Sequence, residues 1–199
     1  MKKSVLTVLF ALFCTMSFAQ LSFNVKAGLN LSSYIGDNSD HSKFKPGVRL
    51  GVGMEYQFTD IISLQPSLFF SQKGAKYSEG YEGIVDADAD VKINQLYLEL
   101  PLMVGARIHT ASNFDLLFKG GPYLAYGVGG KTKIDGVSEK ADTFGDDGLK
   151  RFDAGLGLGV AFEFGNIVVG VETGTSFTKV ASGVSAHNLS ALATIGYKF

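Results

Sequence analysis

Twelve charged side chains recur in the polar half of an alternating sequence pattern, and their balance suggests an enclosed network. They are Lys26, Arg49, Glu55, Lys73, Glu99, Arg107, Asp115, Lys119, Asp153, Glu163, Glu172 and Lys198. Enclosed charges must find partners, whereas exposed charges need not. We therefore predict a structural ion-pair network, and a proton or ion path through a narrow channel is the alternative.

A second candidate is a nucleophilic cluster formed by two polar segments near the two ends of the chain. The residues in question are Asp37, Asp40, His41, Ser42, Ser185 and His187. Nucleophilic catalysis requires a base that is held within hydrogen-bond reach of the hydroxyl. Nothing in these Gly- and Ser-rich segments fixes that geometry. We predict no catalytic residue and no enzyme, with a Ser/His lipid-modifying enzyme as the alternative, and assign no role to His109.

The run Asp86-Ala87-Asp88-Ala89-Asp90 is similar to a calcium-binding loop. Its sixth position is Val91 where the loop requires glycine, and its twelfth is Tyr97 where the loop requires glutamate. We predict a solvated acidic loop and no metal or cofactor. Weak cation binding beside lipopolysaccharide is the alternative.

Most of the chain is predicted to form β-strands, because apolar and polar residues alternate along it. From 188 to 199, the apolar face carries Leu189, Ala191, Ala193, Ile195, Tyr197 and Phe199. A period of two is typical of a β-strand with two different faces. The same pattern recurs seven more times, at 22–33, 44–58, 62–74, 96–106, 114–126, 152–162 and 167–177.

The connections between the predicted strands alternate between long and short. The long ones are 35–43, 78–92, 129–149 and 179–187. Transmembrane barrels place short turns at the periplasmic end and long loops outside, and a tilted strand needs about 9–11 residues to cross the hydrocarbon. The pattern predicts an all-β, eight-stranded, antiparallel up-and-down transmembrane β-barrel.

Periodicity alone does not decide which face points outward, since a soluble lipocalin-like barrel would bury its apolar face. Three observations favour a lipid-facing apolar surface. The polar face is rich in glycine, its charges nearly balance, and the apolar face carries aromatic residues near both strand ends. Two aromatic girdles are typical of outer-membrane barrels. The lipocalin-like barrel remains the alternative.

Residues 1–19 have the pattern of a secretory signal peptide. Lys2 and Lys3 precede an apolar run, and Ser17-Phe18-Ala19 is a small-x-small cleavage site before Gln20. Residues 20–199 then form the barrel domain, whose predicted location is the outer membrane. With 18 Lys+Arg against 19 Asp+Glu, the chain lacks the basic excess that nucleic-acid binding requires.

Several short motifs make the chain resemble the outer-membrane protein β-barrel domain family of Gram-negative bacteria, in its PorT-like form. They are Lys26-Ala27-Gly28-Leu29-Asn30, Phe44-Lys45-Pro46-Gly47, Leu64-Gln65-Pro66-Ser67-Leu68, Gln72-Lys73-Gly74-Ala75, Tyr97-Leu98-Glu99-Leu100-Pro101-Leu102, Gly121-Pro122-Tyr123-Leu124, Phe152-Asp153-Ala154-Gly155-Leu156-Gly157 and Gly196-Tyr197-Lys198-Phe199. Strand seven departs from the pattern at Glu172-Thr173-Gly174-Thr175.

The resemblance implies an eight-stranded outer-membrane barrel. It also implies that the terminal aromatics Tyr197 and Phe199 act as an assembly signal for the barrel-insertion machinery. From the sequence we further expect a monomer with a side-chain-filled lumen, surrounded by outer-membrane lipid and lipopolysaccharide. Its expected role is structural or interactive, through protein partners that contact the long loops.

Overall fold

The fold is a closed antiparallel barrel of eight strands. The computed structural model describes residues 20–36, 42–77, 91–110, 113–134, 141–144, 148–181 and 185–199. The barrel strands are β1 (Leu21–Gly36), β2 (Lys45–Gln57), β3 (Ile62–Tyr77), β4 (Val91–His109), β5 (Asp115–Gly129), β6 (Phe152–Phe164), β7 (Ile167–Ser176) and β8 (Ala186–Lys198). Within these ranges, no helix is long and apolar enough to span a membrane.

Every strand pairs with its neighbours in sequence, and the last strand pairs with the first. The β8–β1 seam runs from Asn24 opposite Lys198 to Gly36 opposite Ala186. Closure leaves no sheet edge along the barrel wall, so the strands satisfy one another's backbone groups as a hydrocarbon environment requires. The predicted eight-stranded up-and-down barrel is confirmed.

Alternation along the strands separates an exposed apolar surface from a buried polar interior. On β1, Leu29 is 67% exposed while the next residue, Asn30, is fully buried. On β6, Leu158 is 64% exposed and Asp153 only 1%. The interior is therefore polar and the exterior apolar, as in a barrel surrounded by lipid. The soluble lipocalin-like alternative, which requires the opposite arrangement, is wrong.

Exposed aromatic residues mark both ends of the apolar surface. At the long-loop end, Phe70, Leu98, Tyr126 and Phe152 lie directly opposite one another on β3, β4, β5 and β6. At the short-turn end, Phe114 packs near Phe162 and Phe164, with ring centroids 5.8 Å apart in each case. We refer to the first set, in which Leu98 lies among three aromatic residues, as the outer aromatic row.

The strands at the long-loop end extend further than the sequence pattern indicates. β3 continues to Tyr77 and β5 to Gly129. Three short strands continue the sheet beyond the barrel: Ser42–Lys43 beside β3, Lys131–Ile134 beside β4, and Ala141–Asp142 beside Lys131–Ile134. The predicted loop 129–149 is therefore partly strand. Alternation could not show this, because these segments are too short to display a period.

Candidate functional site: the charged lumen and its outer closure

Four charged side chains form a closed ring in the half of the lumen nearest the short turns. They come from alternate strands: Glu55 on β2, Arg107 on β4, Glu163 on β6 and Lys198 on β8. Arg107 contacts Glu55 at 2.5 Å and Glu163 at 2.6 Å, and Lys198 contacts both carboxylates at 2.9 Å. Each carboxylate thus has two cationic partners. We call this set the lower charge ring.

A second cluster occupies the middle of the lumen. Arg49 bridges Glu99 and Glu172, with both N–O distances 3.3 Å. Lys73 pairs with Glu99, and Lys119 lies 2.6 Å from Glu172. The Ser71 hydroxyl also donates to Glu99 at 2.6 Å. This central cluster therefore has three cations for two anions.

Three of the twelve predicted network residues lie apart from these pairs. Asp115 is at the rim, 3.1 Å from the exposed ring of His109. Asp153 is buried but accepts hydrogen bonds from the uncharged side chains of Thr178 and Asn188. Lys26 makes no ion pair within 4 Å among the described residues, although it lines the same cavity as Glu55. The structure thus pairs nine of the twelve positions.

One further lumen charge is absent from the twelve predicted positions. Lys45 is only 5% exposed, and its ammonium donates to the carbonyl oxygen of Lys73 at 3.4 Å. It lies within the predicted strand 44–58 and has the parity of Arg49, which is the signal that could have identified it. With Lys45 inside and Asp115 at the rim, cations outnumber anions in the described lumen.

The remaining lumen is packed rather than open. The buried side chains of Leu117, Ala161 and Val168 form an apolar cluster that we did not foresee. Two cavities of about 20 and 10 Å³ lie beside the central cluster and the lower charge ring. Each is about large enough for one water molecule. An eight-stranded barrel has an interior that side chains just fill.

An aromatic residue from the segment between β5 and β6 closes the lumen at the long-loop end. Phe144 is 4% exposed and meets the Tyr97 ring edge to face at 5.5 Å. The Arg151 guanidinium carbon lies 5.5 Å from the centroid of the Phe144 ring. Gly127 makes room for the ring, because a Cβ there would come within 2.5 Å of it. We call this arrangement the outer closure.

Hydrogen bonds fix the outer closure to the barrel wall. The Thr143 hydroxyl donates to the carbonyl of Asn94 at 2.8 Å, and its amide donates to Gly130 at 3.2 Å. Leu149 packs beside Phe144 and also against the cluster that contains Tyr34 and Val180. The only sequence signal was an isolated aromatic in an acidic, polar segment.

The candidate catalytic residues at the rim are engaged in other contacts. His187 Nδ1 lies 3.0 Å from the carbonyl oxygen of Thr178, and the Ser42 hydroxyl shares a 2.8 Å hydrogen bond with Ser33. Asp37, Asp40, His41 and the Asp86–Asp90 run lie outside the described residues. Within the described part of the chain, no group of three His, Cys, Asp or Glu side chains could hold a metal ion.

These features define an integral barrel with a polar, packed lumen, and comparison with known proteins assigns its family. Residues 18–192 match the model of the outer membrane protein beta-barrel domain. The chain therefore belongs to that family and is an outer-membrane β-barrel protein. The match does not extend to the PorT-like assignment, which stays a prediction. No curated protein matches the chain significantly.

Several solved structures are similar to this chain at low sequence identity. The attachment invasion locus protein Ail of Yersinia pestis has 17% identity and a TM-score of 0.47, covering 89% of this chain and 98% of its own. Neisserial surface protein A has 12% identity and a TM-score of 0.49, covering 89% and 97%. The outer membrane enzyme PagL has 14% identity and a TM-score of 0.41, covering 86% and 97%.

The two terminal aromatics lie on the exposed surface at the short-turn end. Tyr197 and Phe199 meet edge to face, with centroids 5.2 Å apart. Phe199 is 69% exposed, and its amide donates to the carbonyl of Phe23 at 2.8 Å. The ring therefore contributes little to internal packing, so the folded barrel should tolerate its loss.

We expect deletion of Phe199 to reduce the amount of barrel in the outer membrane and to leave unassembled chain in the periplasm. The variant refolded from urea into detergent will still migrate differently in unboiled and boiled samples on a denaturing gel. Membrane fractionation and the gel shift measure the two effects. Normal insertion in cells combined with failed refolding would show that Phe199 is a packing residue instead.

Proposed function

We propose that this protein is a non-conducting barrel that acts through its long-loop end as a structural or interaction protein. The observation that carries the proposal is the filled lumen. A solute that enters from the short-turn end meets the lower charge ring, then the central cluster, and finally the outer closure. All three would have to rearrange to open a path.

Rearrangement is costly because each of the four glutamates in the lower charge ring and the central cluster is shared between two cations. Glu99 contacts Arg49 and Lys73, and its side chain is only 4% exposed. Separating a buried ion pair without replacing its partners leaves uncompensated charge in a poorly solvated site. The lumen charges therefore favour a rigid interior over a conducting one, and the narrow channel is the weaker candidate.

Planar-bilayer recording of the refolded barrel tests this proposal. We expect no conductance steps above the bilayer background. Phe144→Ala is the informative variant, because it opens the outer closure while the two charged clusters beneath it remain. We expect the Phe144→Ala barrel to show no conductance steps either. Discrete steps from the unaltered protein would establish a channel and overturn the proposal. Steps from Phe144→Ala alone would show that the outer closure, and not the two charged clusters, seals the lumen.

An interaction role places the partners at the loops 35–43, 78–92, 129–149 and 179–187. Cys14 is the only cysteine of the chain and lies in the predicted leader, so single cysteines can be introduced into the barrel without competing thiols. A photo-crosslinker at the exposed Lys150 should capture partners in native membranes. The matched position is Asp60, in a short turn. Equal capture from both positions would contradict an interaction role for the long-loop end.

A further inference from the structure

Four lysines lie directly opposite one another across four adjacent strands at the long-loop end. Lys43 pairs with Lys76 of β3, Lys76 with Lys92 of β4, and Lys92 with Lys133. Residues directly opposite in an antiparallel sheet project from the same face with Cβ atoms about 4.5–5.5 Å apart. The four lysine side chains therefore leave the sheet from one row of positions, which we call the lysine row.

The lysine row is on the outward face of the sheet. Along β3, Lys76 has the same parity as the exposed Phe70, while the intervening Lys73 and Ala75 are buried inside. Along β4, Lys92 has the same parity as the exposed Leu98, while Tyr97 is buried. The register between the two strands is continuous over this stretch. The lysine row thus lies on the outward surface of the barrel, which is the surface that faces lipid closer to the short turns.

The position of the lysine row along the barrel identifies its surroundings. Phe70 and Leu98 belong to the outer aromatic row. Lys76 lies six residues beyond Phe70 on β3, and Lys92 lies six residues before Leu98 on β4. At about 3.3 Å per residue and a strand tilt of about 40°, the lysines stand roughly 15 Å above the aromatic side chains. Because aromatic girdles mark the hydrocarbon boundary, this height corresponds to the polar region of the outer leaflet.

Placing like charges directly opposite one another is unfavourable in a sheet. An anion with several charges at similar spacing would be attracted by several lysines of the row at once. We propose that the lysine row binds the phosphate groups of the lipopolysaccharide in which the barrel is embedded. This site is separate from the lumen, and the proposal requires only the membrane placement of the barrel, not its lack of conductance.

Titration of the folded barrel in zwitterionic detergent with bisphosphorylated lipid A tests the proposal. The variant K76Q/K133Q removes two members of the row, and K150Q/K179Q removes two other basic residues from the same end with the same change in net charge. Each lysine near an anionic surface contributes a factor of about five in affinity. We expect K76Q/K133Q to weaken binding about thirty-fold. K150Q/K179Q should bind lipid A nearly as tightly as the unaltered protein does. Dephosphorylated lipid A should bind the unaltered protein and the two double variants equally.

Thermal stability provides a second measurement that a structural role would not reproduce. Without lipid A, K76Q/K133Q should unfold at or above the temperature of the unaltered barrel, because like charges have been removed. With saturating lipid A, the unaltered barrel should instead unfold at a higher temperature than K76Q/K133Q. The heat-dependent gel shift reports both states and also shows that the variant is folded.

Several outcomes would overturn the assignment. Equal loss of binding in the two double variants would indicate general electrostatic attraction. Destabilisation of K76Q/K133Q already in the absence of lipid A would indicate a packing role. Row-dependent binding of inorganic pyrophosphate as tight as that of lipid A would identify a soluble anion as the ligand. An unchanged affinity in K76Q/K133Q would show that acidic residues of the chain's own loops already neutralise the row.

Discussion

Replacing Glu99 with glutamine will lower the free energy of unfolding by about 3–5 kcal/mol, which is the usual cost of removing one partner from a buried ion pair. Glu99 is the only anion within ion-pair distance of Lys73 among the described residues, and it shares Arg49 with Glu172. Glutamine has nearly the same shape, so the loss reports charge rather than volume. Urea titration of the refolded barrel, followed by the gel shift, measures it.

A second substitution determines whether the loss at Glu99 is electrostatic. Lys73→Met removes the cation that Glu99→Gln leaves without a partner, so the double variant should recover a large part of the lost stability. Asp142→Asn is the matched control, since Asp142 pairs with Lys131 at 2.6 Å on the exposed surface, and it should change little. If the double variant were as unstable as Glu99→Gln alone, the central cluster would not be held together by charge.

Placing a charge on the lipid face will have a comparable effect. Leu158 lies six residues from Phe152 and six from Phe164, two exposed aromatics of the same strand, so it lies near the middle of the apolar band. Arginine near the bilayer midplane costs about 2–4 kcal/mol in a transmembrane barrel. We expect Leu158→Arg to lower stability in lipid vesicles by that amount, and Leu100→Arg on β4 to do the same.

The matched substitution for Leu158→Arg is its lumen-facing neighbour, Gly157→Ser. A Cβ at Gly157 would approach the terminal Cε of Met103 at 2.6 Å, a contact that this flexible side chain can relieve. Ser67→Thr, also in the lumen, adds one methyl group. Both should be far less damaging than the arginine variants when unfolding is compared in the same vesicles. A larger loss from the two lumen changes would reverse the assignment of the faces.

Alternation in the sequence was sufficient to predict the strands and which side chains share a face, and the glycine content, charge balance and aromatic residues of the two faces predicted which one points outward. These predictions follow from a single physical rule. Side chains on a strand alternate between two sides, and in a membrane barrel one side faces lipid while the other faces the polar lumen. The same rule located the charges of the lower ring and the central cluster. It did not show which anion each cation contacts, because pairing depends on the register between strands that are distant in the chain.

The remaining errors concern residues at strand ends. Asp115 has the parity of a lumen residue, yet it lies at the rim beside His109 because β5 begins there. Phe144 is in a segment that we read as a loop, and only tertiary packing places it inside. Lys45 lies in the predicted strand 44–58 with the parity of Arg49, and we did not include it among the lumen charges. The lysine row was equally hidden, since its four members are scattered over ninety residues and come together only through cross-strand register.

The lower charge ring has a consequence for how the barrel folds. Its members come from β2, β4, β6 and β8, so no contiguous half of the sheet holds all four. A barrel without a docked β8 would leave Glu55 and Glu163 in the interior with one cationic partner fewer, in addition to two unpaired edges. Lys198 is on the last strand and reaches Glu55 on the second and Glu163 on the sixth. The ring therefore penalises partly closed sheets and makes closure of the β8–β1 seam a cooperative, all-or-none event.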